Sequence, residues 1–257
     1  MPNRVRFSDS IEPLVQFIEE TPPAEILDRT LEKLRAGTPT ETMLTASALA
    51  VARSSDLPPG RHGSPLHPLA GLFAVSKLVG RLEGEQRFVP VLQHVALSNK
   101  HIHHPAMGPY SLLEFAPVDA GGVEATRAAF LAAVNRGETN RADHLFLWLW
   151  DNVPPIEAFD LLLSVAIPKN ALDDHYFIFP LFTWRALETM DQALLPVLMR
   201  PAVRYVTRFP APRAMPEIDE LIEKHELYQR PEGLTGMRAG LVGRPRAKSI
   251  RYQLPVL

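Results

Sequence analysis

The sequence predicts an all-α protein of stacked antiparallel helical hairpins, helical-repeat-like, with an irregular C-terminal arm. Three observations carry that expectation. Hydrophobic residues make up 46% of the 257 and charged residues 22%, enough for one large core without a large charge excess. The chain has 25 prolines, roughly double the usual share of about 5%, which in a helical protein means many short helices with abrupt ends. The third observation is an internal repeat. Asp143-His144-Leu145-Phe146-Leu147-Trp148 matches Asp174-His175-Tyr176-Phe177-Ile178-Phe179 as D-H-x-F-(L/I)-aromatic, 31 residues further on.

Each copy follows a helix with an Ala-Phe pair, Ala129-Phe130 in one and Ala158-Phe159 in the other. The unit therefore reads as a helix, a short polar loop and a very apolar helix, a length typical of helical solenoids. His67 and His104 also stand at loops just after helices and mark weaker, irregularly spaced copies.

Taken in order, residues 9–36 read as two helices, the first capped by Ser8 or Asp9 and ended by Pro22-Pro23. In the second, Ile26, Leu27, Leu31 and Leu34 share an apolar face. An alanine-rich helix from Thr40 to about Arg53 suits close helix contacts. Further helices are expected near 66–82, 88–103, 123–136, 141–151, 155–167, 172–191 and 194–207. The runs Leu145–Trp150 and Tyr176–Phe179 would also suit buried strands, and Pro180 would kink or begin a helix. The continuation Trp184-Arg185-Ala186-Leu187-Glu188 favours helix. These elements make a domain over 1–210. Residues 211–257 would form a helix near 216–228 and a basic arm, packed on the body or on a partner.

Composition narrows the function. A formal charge of −2 gives no sign of a nucleic-acid binder. The absence of cysteine excludes disulfides, thiolate zinc sites, iron–sulfur clusters and a cysteine nucleophile, and suits the cytoplasm. No apolar run is long enough for a membrane span, and no apolar segment suited to a secretory signal follows the N-terminus. Glycine-rich nucleotide motifs, H-E-x-x-H, an EF-hand loop and ferritin-like E-x-x-H pairs are missing.

The nine histidines remain the main chemical resource. His101, His103 and His104 cluster before Pro105, with His94 one heptad earlier. Phe88, Val91, Leu92, Val95 and Ile102 define the apolar face of that helix, which leaves His94 and His101 expected on the exposed side. His103 and His104 suit the helix C-terminus, where imidazolium complements the dipole. The repeated Asp-His pairs read as an N-capping carboxylate followed by a partly buried imidazole that must find a partner. On stacked hairpins His144 and His175 would then share a ligand, a metal or a proton, with Asp143 and Asp174 orienting them. The loop His62-Gly63-Ser64-Pro65-Leu66-His67 offers two imidazoles but no specific metal spacing and no nucleophile elbow for Ser64. Trp148, Trp150, Trp184, Phe177 and Phe179 read as core.

The stretch from Asp174 to Ala186 resembles helical, histidine-containing segments of the questin-oxidase-like family over about fifteen residues. The resemblance implies an α-helical oxidoreductase acting on an aromatic or polycyclic substrate, with His175 near the site. A looser architectural analogy is the HEAT-type hydroxylase of a modified lysine, which presents His-Glu pairs to two irons; here the pairs are Asp-His.

Two functions are expected. One is a His-based, metal-assisted oxidoreductase of a small organic substrate. In it His67, His104, His144 and His175 hold a divalent transition metal (Fe, Mn or Zn), and Asp143 and Asp174 assist. The other is a non-catalytic helical scaffold for a protein or apolar ligand, open to self-association.

Overall fold

A computed structural model describes residues 3–54, 66–105, 111–169, 175–186, 189–208, 220–221 and 223–225. His62, Ser64, Asp174 and nearly all of the basic arm lie outside the described residues. The chain divides into two compact units, Met1–Pro212 and Arg213–Leu257. The first is all-α, its helices packed in antiparallel contacts, as the sequence predicts. It contains α1 (Glu12–Glu20), α2 (Ile26–Arg35), α3 (Thr40–Arg53), α4 (His67–Val79) and α5 (Phe88–Ile102). There follow α6 (Val123–Arg136), α7 (Thr139–Asn152), α8 (Pro155–Ala166), α9 (His175–Ala186) and α10 (Leu195–Arg208).

Helix α3 is the centre of the unit, packing against α1, α4, α5 and α10. Its small residues make this possible: Ala46, Ala48, Ala50 and Ala52 are all fully buried, so neighbours approach on several sides. Helices α6 and α7 form a hairpin of consecutive elements. Gly137 closes the first of them in the left-handed region at φ 70°, where a side chain would strain the backbone. Packing is not confined to chain neighbours, however. Helix α4 packs most extensively on α9, more than a hundred residues later, and α10 returns to pack on α7 and α3. These long-range pairings assemble the site.

Local details depart from expectation at several helix starts. Neither Ser8 nor Asp9 caps α1 with its side chain; the Ser8 carbonyl instead accepts the amides of Ile11 and Glu12. In α2 the buried face is Ile26, Thr30 and Leu34, with Leu27 turned outward. Helix, not strand, is the structure of both aromatic runs. Helix α9 accommodates Pro180 in its interior, where it is buried. The ring costs one i→i−4 hydrogen bond at Tyr176 without ending the helix.

Candidate functional site

Two of the four expected metal ligands meet. His67 is the first residue of α4 and His175 the first of α9, so the packing of these helices brings both imidazoles to one end. Their Nε2 atoms are 3.0 Å apart, and the rings meet edge to face with centroids 5.0 Å apart. Phe179, one turn along α9, contacts both rings, at 5.3 Å from His67 and 4.9 Å from His175. The pair is thus apolar on one side and solvent-accessible on the other.

A contact of 3.0 Å between two Nε2 atoms is a hydrogen bond only if one ring donates and the other accepts. One ring then presents an unprotonated Nε2 to the N–H of the other, and a proton taken up by the pair can be shared between the two imidazoles. Helix α5 ends beside this pair. His101, half-buried there, has its protonation disfavoured first by burial and then by the charges of His67, Lys100 and His104. His103 is the C-cap residue of α5 and its Nδ1 contacts the Asn99 carbonyl at 3.0 Å, in line with the capping expectation.

His144 belongs elsewhere. Its Nδ1–H donates to the Ala116 carbonyl at 2.6 Å, and its ring stacks on Phe115 at 4.3 Å. The preceding Asp143 is fully buried and does not cap the helix, which starts four residues earlier at Thr139. Its Oδ1 accepts from Arg200 Nε at 2.9 Å, and its Oδ2 accepts from Arg200 Nη2 at 2.9 Å and Arg204 Nη1 at 3.1 Å. The two Asp-His copies therefore differ in place. His144, in the second turn of α7, is held by Ala116 and Phe115, whereas His175, the first described residue of α9, meets His67. The expected convergence of His144 with His175, and the orienting role of Asp143, do not occur. Both residues have committed structural partners.

His94 also departs from expectation. It is buried, not exposed, because the inward face of α5 is Val91, His94, Val95, Ser98 and Asn99, spaced as one helical face but partly polar. Residues that sequence reasoning passed over include Arg200 and Arg204, which share one face of α10 at i, i+4. Arg53, at the end of α3, binds Glu12 and Glu19. For Arg200 and Arg204 the signal was a charge recurring on one helix face, and for Arg53 a lone charge ending an apolar, alanine-rich helix.

Replacing His144 with alanine removes one hydrogen bond and one ring stack. The expected cost is about 1–2 kcal/mol in chemical denaturation, with the environment of His67 and His175 unchanged. Perturbed His67 and His175 resonances in that variant would show the regions to be coupled after all.

Among the described residues no three or more His, Asp or Glu side chains converge as a group able to hold a metal ion. A cleft of about 200 Å³ lined by Glu41, Leu44, Ser76, Val79, Thr189 and Met190 lies at the opposite end of α4. That is about 20 Å from His67 at 1.5 Å per residue, so it is separate from the imidazoles. Among the described residues no helix is long and apolar enough to cross a membrane.

Fold and site together define an all-α protein with a hydrogen-bonded imidazole pair at a junction of helix ends. Compared with known proteins, the chain matches no family model, no curated protein and no solved structure.

Proposed function

We propose that the protein is an oxidoreductase in which the His67–His175 pair takes a proton from a small organic substrate and dioxygen accepts the substrate's electrons. The observation that carries this reading is the 3.0 Å Nε2–Nε2 contact, which holds one imidazole as a base beside a second that can take or return its proton. Phe179, only 1% exposed, backs both imidazoles from within the core and keeps that side of the pair dry. The oxidative half of the reading comes from the questin-oxidase-like resemblance around His175, which also implies an aromatic or polycyclic substrate.

The test is a panel of hydroxylated polycyclic aromatics, followed by substrate depletion and dioxygen uptake. His67→Gln and His175→Gln are each expected to lower kcat/KM by about 10²–10⁴-fold while leaving the melting transition in place. A wild-type chain inert to the whole panel, or variants as active as wild type, would overturn the reading.

The same contact supports a second reading, in which the pair ligates a divalent transition metal. With metal–nitrogen bonds of about 2.1 Å, a 3.0 Å separation subtends about 90° at the ion. That suits neighbouring positions of a six-coordinate or square-planar ion better than a tetrahedral one. Titration of untagged protein with Ni²⁺ separates the readings: saturable binding lost in His67→Gln favours the ion, and no binding favours proton transfer alone.

A further inference from the structure

Beneath the imidazole pair runs a buried polar contact that the proposed chemistry does not use. His94, in the middle of α5, is only 3% exposed. Its Nε2 lies 3.0 Å from the Pro68 carbonyl oxygen and its Nδ1 2.9 Å from Ser47 Oγ. Burial pushes its pKa down to about 4 against the pull of the Pro68 carbonyl, so at neutral pH the ring is uncharged and carries one N–H. A carbonyl can only accept, which puts that proton on Nε2; Nδ1 lies beside Ser47 Oγ, whose own hydroxyl donates to Ser98 Oγ. Ser47 is fully buried, with the Ser98 hydroxyl 2.9 Å away, so α3 and α5 together fix the orientation of the ring.

Pro68 is the second residue of α4, and His67 is the first. The start of α4 has no side-chain cap, and its N-cap position is the apolar Leu66. Leu66, Pro68 and Leu69 are buried, but apolar packing is non-directional and does not by itself set the rotation of the first turn. The His67–His175 hydrogen bond needs that rotation to be right, because such bonds weaken steeply with distance and angle.

We propose that His94 is a positioning residue for the imidazole pair: its hydrogen bond to the Pro68 carbonyl sets the first turn of α4 and thereby aims the His67 ring at His175. The inference rests on the reading of that pair as the functional site. It makes the Ser47–His94–Pro68 contacts an outer support of the kind that holds reactive groups in register.

The test reads the hydrogen bond itself, as the scalar coupling between the two Nε2 nuclei in full-length protein labelled with ¹⁵N-histidine. The coupling is expected in wild type and in His94→Gln, whose side-chain amide nitrogen reaches the place of the imidazole Nε2. In His94→Asn, whose amide reaches only the Nδ1 position, it is expected to fall below about half the wild-type value. Should His94→Asn fail to fold, His94→Met takes its place, filling the space without a donor. Undiminished coupling in the Asn or Met variant overturns the positioning role and leaves the pair intact. Equal loss in His94→Gln also overturns it, since the donor to Pro68 would then not be what matters. Absence of coupling in wild type overturns the pair and the inference together.

Discussion

Arg53→Ala is expected to lower the unfolding free energy by about 3–5 kcal/mol, read as a fall in the urea midpoint. Arg53 is 2% exposed, and its guanidinium is the shared partner of two carboxylates. Nη1 donates to both oxygens of Glu12, at 2.6 and 2.8 Å, while Nε and Nη2 hold Glu19 at 2.9 and 2.7 Å. Removing the cation leaves Glu12 without an ionic partner in the buried junction between α1 and α3, while Glu19 keeps Arg4, and a buried charge without its partner costs more than the pair contributes. Exposed pairs such as Arg35–Glu85 contribute far less, because solvent and salt screen them.

The same substitution should show a characteristic pH dependence. Burial alone would raise the pKa of Glu12. The Phe7 amide, together with the Arg53 hydrogen bond and charge, outweighs burial and holds it below the ordinary carboxylate range. A carboxyl depressed in the folded state contributes stability that is present above its unfolded pKa and is lost as pH falls through the folded one. The gap between wild type and Arg53→Ala should accordingly be widest near neutrality and narrow below about pH 4.5. A gap that stays constant into the acid range would show that packing, not charge, is what Arg53 supplies.

Asp143→Ala carries the second large effect, again about 3–5 kcal/mol in urea unfolding. Asp143 is fully buried and is the carboxylate shared by Arg200 and Arg204 of α10, which are themselves 4% and 6% exposed. Without it, two guanidinium groups on one face of α10 repel each other where that helix packs on α7. Asp143→Asn keeps the shape and one acceptor oxygen, and is expected to fall between wild type and alanine. A loss of less than about 1 kcal/mol in Asp143→Ala would show that Arg200 and Arg204 find other partners or solvent at little cost. The contrast with the mild His144→Ala also tests the repeat, since equal roles for the two residues would predict comparable effects.

The helical class was legible because it depends on local properties. Apolar spacing, proline punctuation and the small residues of α3 act within a turn or two of the chain, and they placed α3, α5 and α6 to within about a residue. The repeat was a genuine sequence pattern, yet it mapped onto different helix positions. A six-residue match does not specify where a helix begins, and in the first copy the helix already starts at Thr139. His94 was misplaced because only apolar residues were counted towards the face of α5. The face that burial selects includes His94, Ser98 and Asn99, whose polar atoms find partners at Ser47, Pro68, Ile18 and Thr21.

The sequence by itself determined that this chain is helical, that it lacks thiol chemistry, and that its histidines are its chief reactive groups. It singled out His67, His104, His144 and His175 among them. Only the tertiary structure decided which imidazoles meet. His67 and His175 are 108 residues apart, and no local rule relates residues at that separation. The packing of α4 on α9 joins them, while a salt bridge to α10 takes Asp143 and a stack on Phe115 takes His144.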